Sequence, residues 1–375
     1  MNKIGLLGCG RLGKRFSDLA KKNNIYIEAY ADNYCSGSVF EEHEVVDVKR
    51  LFQLYENGKI DTVIIAIISD EQRTEVGIQL LDMGIKDKDI FFVPEWLTNL
   101  PVEPIPDVMV EIIPFRMMKP TLQYLDIPVV DYCNLNCRCC WMGCNLVEHG
   151  QATSIEQYCR DMKQLSQKYY NIESIHFMGG EPFLHKDLSK YVCIASETFP
   201  RAELFVTTNG LLIENLPDEI FDTLRKYDVL VFISFYPAMK NRIYSTIKKL
   251  VEKGIRFYVS PEKTEFLKIF SFAEQDVDKT RSKCPSTKCH YLQEGKLYGC
   301  GVPITMRRLS KIVNLPWCEE EIGCDIYGTE DGWDMRRKLD NAFSTCKHCT
   351  ADMEPITWKN VGKDVDITDW FVDEP

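Results

Sequence analysis

The sequence predicts an α/β protein in three parts: a small N-terminal α/β domain, a larger α/β domain of repeated strand–helix units, and a small Cys-rich C-terminal extension. Three observations predict it. Strand-sized apolar runs alternate with helix-period stretches up to Val93, and again from Leu125 to Val259. Six prolines fall in the 27 residues from Pro94 to Pro120, too many for a helix or a central strand. Seven of the 16 cysteines lie after residue 283. These features divide the chain into 1–94, a Pro-rich linker 95–123, a second α/β domain 124–282 and an extension 283–375.

The first run opens with a strand at residues 2–8, and Leu12, Phe16, Leu19 and Ala20 then recur at helical spacing. Between them Gly8-Cys9-Gly10-Arg11-Leu12-Gly13 fits G-x-G-x-x-G. A second strand, Ile25 to Tyr30, ends at Ala31-Asp32, which places a carboxylate about 20 residues after the glycines, where a dinucleotide fold holds a ribose. Gly8, Gly10, Gly13 and Asp32 are therefore candidate nucleotide-binding residues. A third strand (Asp61 to Ile68), a helix with Val76, Leu80 and Met83 on one side, and a fourth strand (Ile90 to Val93) complete a short Rossmann-like pattern.

In the second run, strands at Leu125–Tyr132, Ser174–Met178, Leu204–Thr207, Asp228–Phe235 and Ile255–Val259 alternate with helices near Ser154–Tyr169, Asp187–Phe199, Pro217–Lys226 and Ala238–Lys253. Ser154 and Gln157 make a capping box, Ile155, Tyr158, Met162, Leu165 and Tyr169 form a stripe, and Gly254 stops the fourth helix. Repeated βα units imply a parallel sheet, open or curled towards a barrel. The extension carries a hairpin, Tyr291 to Cys300, around Glu294-Gly295.

Composition narrows the function classes. The chain of 375 residues is 45% hydrophobic and 27% charged, which suits a folded protein with two or three cores. Its 45 basic against 56 acidic residues, net −11, lack the basic footprint of a nucleic-acid binder. Apolar runs are strand-sized, the longest being Thr62–Ile68 and Val229–Phe235, so no membrane span is expected. Leu6-Leu7-Gly8-Cys9 mimics a lipoprotein signal, but Arg11, Lys14 and Arg15 interrupt it too early. A cytoplasmic location follows, and there 16 cysteines point to metal ligation rather than disulfides.

Cys133, Cys137 and Cys140 form C-x3-C-x2-C directly after the first strand of the second domain. Three thiolates can hold three irons of a cubane cluster and leave the fourth iron open to a ligand. The competing reading is zinc, completed by Cys144 or His149. On these residues the sequence resembles the radical S-adenosylmethionine (radical SAM) superfamily, from about Tyr124 to Ser260. The resemblance implies a partial (β/α)6 TIM-type barrel, a site-differentiated 4Fe-4S cluster on the triplet, and S-adenosylmethionine on its open iron. Three further motifs support it, each after a strand: Met178-Gly179-Gly180-Glu181-Pro182, Thr207-Thr208-Asn209-Gly210, and Ser234. The family uses these turns to hold the cofactor, which assigns Gly179, Gly180, Glu181, Pro182, Thr207, Thr208, Asn209 and Ser234. Where the family often has an aromatic residue before the third cysteine this chain has Cys139, and Trp141 is the candidate to shield the cluster.

Cys284, Cys300, Cys346 and Cys349 resemble the auxiliary-cluster extension of the SPASM and Twitch subfamilies. Cys289, opposite Cys300 if Glu294-Gly295 is the turn, is a fifth candidate for four iron positions. Cys318 and Cys324 do not supply the full SPASM pattern, so one auxiliary 4Fe-4S cluster is expected, with a zinc ribbon as the alternative. The N-terminal domain resembles Rossmann-like domains fused to sugar-modifying and methyl-transferring enzymes, which admits a nucleotide.

The resulting expectation is an oxidoreductase or isomerase-type enzyme, driven by a flavodoxin- or ferredoxin-type donor. It would act on a carbohydrate or nucleotide-linked sugar by dehydrogenation or epimerisation. Peptide or protein modification is the second reading, and an iron–sulfur redox sensor the third. His176 reads as a pocket-lining or core residue rather than a base, and Cys144 or Cys193 as buried thiols or hydrogen-atom donors.

Overall fold

The computed structural model describes residues 3–99, 112–147, 151–312, 323–362 and 365–373. Two units divide the chain, Met1–Thr121 and Leu122–Pro375. In the first, strand β1 (Ile4–Leu7) is buried at every position, and helix α1 (Arg11–Lys22) turns Leu12, Phe16 and Ala20 inward. Strand β2 (Ile27–Ala31) pairs parallel with β1. A hairpin of β3 (Val39–Phe40) and β4 (His43–Val46), then helix α2 (Val48–Glu56), follow without having been expected. The hairpin is too short to show a period. Helix α2 does carry a start signal: the Asp47 side chain accepts from the Arg50 amide at 2.7 Å.

Strand β5 (Thr62–Ile65), helix α3 (Asp70–Met83), and strands β6 (Ile90–Phe92) and β7 (Ile113–Pro114) finish the unit. The sheet order is β3-β4-β2-β1-β5-β6-β7, parallel from β4 to β6 with antiparallel edges. Helix α3 buries Arg73, Thr74, Gly77, Ile78 and Leu80, not the expected Val76–Leu80–Met83 stripe, and Arg73 is ion-paired with Asp70 on that buried face. Of the Pro-rich stretch, residues 95–99 and 112–120 are described. Residues 95–99 form a turn that buries Leu97, and Pro114 sits on an edge strand, where a missing N–H removes no central ladder bond.

The second unit begins with five βα-type strands: β8 (Thr121–Val130), β9 (Asn171–Gly179), β10 (Glu203–Thr208), β11 (Leu230–Ile233) and β12 (Phe257–Val259). Helices α4 (Ile155–Lys168), α5 (Leu188–Thr198), α6 (Asp218–Lys226) and α7 (Ile243–Glu252) connect β8 to β12 through the intervening strands. Ser154 caps α4, its Oγ accepting from the Gln157 amide at 3.1 Å, and Tyr158, Met162 and Leu165 face the core. Leu125, Ile127, Val129, Ile175, Phe177, Val206, Val231 and Ile233 are buried in one apolar cluster. Strands buried on both faces demand such apolar runs.

After β12 the chain leaves the parallel series. Strand β13 (Glu265–Phe270) pairs antiparallel with β17 (Cys349–Thr357), and helix α8 (Val277–Lys283) leads to the hairpin β14 (His290–Gln293) and β15 (Lys296–Tyr298). Glu294 and Gly295 both take positive φ in its turn, as a two-residue hairpin needs. The Asp161 carboxylate on α4 accepts from the Gly295 amide at 3.1 Å and from the Tyr327 hydroxyl at 2.6 Å. Helix α9 (Val302–Ser310), strand β16 (Cys324–Asp325) and helix α10 (Gly332–Asp340) complete the unit.

Strand β14 lies parallel to β8, so the sheet runs β12-β11-β10-β9-β8-β14-β15-β16 and does not close into a barrel. Strands β14 to β16 of the extension thus continue that sheet, while β17 pairs with β13 in a separate two-stranded sheet. Unpaired edge groups of β8 are satisfied by its pairing with β14.

Candidate active site

The loop after β8 holds the triplet. Gly180 donates its amide to Val130 O at 2.7 Å, and a Cβ on Gly180 would stand 1.7 Å from Tyr132 O, so only glycine lets the turn after β9 lie against this loop. Cys133, Cys137 and Cys140 line one cavity of about 550 Å³. Gly179, Gly180, Thr207, Thr208, Asn209 and Ser234, all at C-terminal strand ends, line the same space.

Glu181 and Pro182, the other two residues of the turn after β9, are not among the residues lining it. The Glu181 carboxylate is fully buried and accepts from Thr208 Oγ1 (2.7 Å), the Asn209 amide (2.9 Å) and the Phe183 amide (3.2 Å). It ties the end of β9 to the end of β10. Burial pushes its pKa up to about 7, against the pull of those donors. Asn209 in turn donates to Asn134 Oδ1 at 2.7 Å, fixing the start of the thiol loop.

Several residues that sequence reasoning missed clasp this loop. The Trp358 indole N–H donates to Cys137 Sγ at 3.1 Å, and that of Trp370 to Cys140 O at 3.2 Å. Arg138 pairs with Asp369 at 2.6 Å, and its amide donates to Lys359 O. No local motif marks these partners, because they come from more than 200 residues away along the chain. The cavity is completed by Asp126, Tyr236, Lys263, Phe266, Cys289 and Tyr291. Burial raises Asp126 to about 7 and lowers Lys263. One Asp126 oxygen and the Tyr291 hydroxyl are buried without a hydrogen-bond partner.

In the extension, Cys284, Cys300, Cys346 and Cys349 line a second, smaller cavity of about 60 Å³, while Cys289 faces the first. Geometry thus separates the four from the fifth.

Residues 127–257 match the model of the Radical SAM superfamily. GTP 3′,8-cyclase of Clostridium botulinum (strain Okra / Type B1) is 25% identical over 164 residues, 42% of this chain and 51% of that protein. A probable GTP 3′,8-cyclase of Methanococcus maripaludis is 27% identical over 146 residues, 38% of this chain and 48% of the relative. Residues 127–257 thus carry a radical SAM domain. The chain spans about half the length of these curated relatives. Among solved structures, BtrN in complex with AdoMet and 2-DOIA matches at 18% identity and TM-score 0.40, covering 62% of this chain and 94% of BtrN. UDP-D-quinovosamine 4-dehydrogenase from Vibrio fischeri matches at 18% identity and TM-score 0.23, covering 26% of this chain and 84% of that one.

A radical SAM domain implies a 4Fe-4S cluster and S-adenosylmethionine. The thiols fit. Among the described residues, only Cys9, Asp32 and Cys35 bring three ligand atoms within 4.8 Å of one another. The triplet is therefore spread around a space wider than a single tetrahedral ion, whose sulfur ligands sit about 3.8 Å apart at Zn–S near 2.3 Å. An all-thiol set around such a space suits an iron–sulfur cluster.

Of the zinc alternatives, Cys144 lines the cavity, and its side-chain hydrogen bond with Cys140 lowers the Cys140 thiol and raises that of Cys144. His149 and Cys318 lie outside the described residues. Cys139 is buried and donates to Leu267 O, and Trp141 lines the cavity and donates its indole N–H to the same carbonyl.

His176 lies between Tyr124 and Phe205 with ring centroids at 4.1 and 4.2 Å, and burial lowers it to about 4. A neutral stacked ring is not a poised base at neutral pH. Cys193 bonds Glu197 and Tyr227 away from the cavity.

In the first unit, Gly8 and Asp32 line a cavity of about 160 Å³. A Cβ on Gly13 would meet Gly8 O at 1.9 Å, so Gly13 answers to helix–strand packing, whereas one on Gly10 would meet nothing within 4 Å. Both Asp32 oxygens already accept backbone amides, from Cys9 (3.0 Å) and Tyr34 (2.9 Å).

Proposed function

We propose that this radical SAM enzyme removes a hydrogen atom from a carbohydrate or nucleotide-linked sugar, by dehydrogenation or epimerisation. The observation that carries it is the single cavity shared by the thiol triplet, the strand-end motifs and a polar far wall. When bound, the cluster and S-adenosylmethionine supply reductive cleavage of the sulfonium and a 5′-deoxyadenosyl radical that attacks an unactivated C–H bond. The protein's own tasks are orientation and exclusion of water.

Gly179 and Gly180 provide a cradle that side chains would fill, Thr207, Thr208, Asn209 and Ser234 offer polar groups around the cofactor, and Trp358 holds Cys137. The far wall sets the substrate. The unpartnered Asp126 oxygen and Tyr291 hydroxyl take hydroxyl groups, and Lys263 faces the same space. Buried polar atoms left unsatisfied cost about 1–3 kcal/mol each, which a hydroxylated substrate would recover. Cys284, Cys300, Cys346 and Cys349 would hold one auxiliary 4Fe-4S cluster, able to accept an electron or to anchor substrate.

The first unit would present a nucleotide, with open space at Gly10 where the α1 N-terminus meets a phosphate. A reducing cytoplasmic setting with a flavodoxin- or ferredoxin-type donor suits fifteen free thiols among the described residues. No helix among the described residues is long and apolar enough to cross a membrane.

The test is anaerobic incubation of reconstituted protein with reductant, S-adenosylmethionine, and either sugar-nucleotide or peptide pools. Sugar-dependent 5′-deoxyadenosine that falls in the Asp126→Asn variant supports the reading. Peptide-dependent formation replaces it with peptide modification, and no cleavage with any pool favours the redox sensor.

A further inference from the structure

We propose that the first unit holds a thiophilic divalent cation, zinc by its ligand chemistry, on Cys9, Asp32 and Cys35. This site is separate from the thiols of the second unit and does not depend on the function proposed above. One ligand atom from each of the three residues lies within 4.8 Å of the other two, and no other trio of His, Cys, Asp or Glu among the described residues is so close. Tetrahedral zinc needs thiolate sulfurs about 3.8 Å apart and a carboxylate oxygen at about 2.0–2.2 Å from the metal, and this spacing accommodates both.

Topology explains why residues 23 and 26 positions apart meet. Cys9 lies in the turn after β1, and Asp32 and Cys35 lie in the turn after β2. The two strands are parallel neighbours with Leu7 opposite Ala31, so both turns emerge side by side at the same sheet end. The carboxylate is held before any ion arrives. Cys9 and Tyr34 each donate a backbone amide, to Oδ2 and Oδ1 respectively, and each oxygen keeps a second lone pair for the metal.

The Cys35 turn is also pinned. Val48 donates its amide to Asn33 Oδ1 at 3.1 Å, Gly37 donates to Val45 O at 2.8 Å, and Ser38 donates to Cys35 O at 3.1 Å. All three ligand residues are partly exposed, so an ion can reach them. Two soft donors and one hard donor select zinc over magnesium or calcium, and three protein ligands leave a fourth position for water or an incoming donor.

Location makes the site more than a staple. Cys9 is the middle residue of Gly8-Cys9-Gly10, and Asp32 is the carboxylate that would meet a ribose. An ion on Asp32 and a ribose hydroxyl compete for the same oxygens, so zinc and a nucleotide would exclude each other or share the ion's fourth position.

The experiment uses the full-length chain, with its clusters reconstituted anaerobically, loaded with zinc and passed through chelating resin. Zinc and iron are then counted by elemental mass spectrometry. The wild type should retain one zinc, bound by two sulfurs at about 2.3 Å in zinc-edge X-ray absorption. The Cys9→Ser/Cys35→Ser variant should lose it with iron content unchanged. Asp32→Asn, isosteric and gentler on the fold, should weaken zinc at least tenfold while circular dichroism stays the same. Retention of zinc by the double variant, or four sulfur neighbours in the wild type, would overturn the proposal by placing the ion on the tail cysteines. So would a wild type that keeps no zinc, or a Cys9–Cys35 disulfide recovered from the isolated protein by peptide mass spectrometry.

Discussion

Glu181 shows how a residue can matter to a cavity it does not touch. Its buried carboxylate collects three donors from the ends of β9 and β10. Glu181→Gln turns one acceptor into a donor facing other donors, and should lower stability by about 1–3 kcal/mol in urea unfolding. S-adenosylmethionine affinity should fall with it, because Asn209 loses its fixed position. Trp358 acts through Cys137, and removing its N–H in Trp358→Phe should leave iron content unchanged. The lost bond to sulfur, about 1 kcal/mol, should lower the cluster midpoint by roughly 40 mV in an anaerobic titration. Asp126 and Glu181 both sit above their ordinary values through burial, at about 7. Each disfavours charging in the folded state, so stability is greatest below the ordinary carboxylate range and falls as pH rises to about 7. Asp126→Asn should flatten that fall in urea midpoints measured across the window.

At the scale of elements, glycines separate backbone demands from ligand demands. Gly180→Ala sets a Cβ 1.7 Å from Tyr132 O, so the turn after β9 must withdraw from the thiol loop. The expected result is loss of the triplet's iron with the tail iron retained, read by iron and sulfide content. The strand–turn motifs were legible because each lies within a few residues of its strand. The same holds for the Ser154 cap and the Glu294-Gly295 turn, both local in origin. Local signals miscarried at α3, where Leu80 is buried as expected but the Arg73–Asp70 ion pair, Thr74 and Ile78 share the buried face in place of Val76 and Met83. They were silent on the β14–β8 pairing, which joins residues about 165 positions apart.

At the scale of the molecule, Leu122–Pro375 carries its own apolar cluster and all the thiols of both proposed clusters. A chain beginning at residue 122 should therefore fold and bind as much iron as the full protein, and cooperative unfolding with unchanged iron content would check it. The sequence by itself determined the α/β class, the thiol triplet and the strand-end motifs, since alternation, spacing and turn chemistry are properties of neighbouring residues. Only the tertiary structure decided which four tail cysteines share a cavity, that Cys289 faces the other one, and that the Glu181 carboxylate ties the ends of two strands together. It also brought Trp358 and Trp370 onto the thiol loop, and Cys35 beside Cys9 and Asp32. Those are matters of which side chains converge when distant segments pack, and convergence depends on strand order and register, which no short stretch of residues encodes.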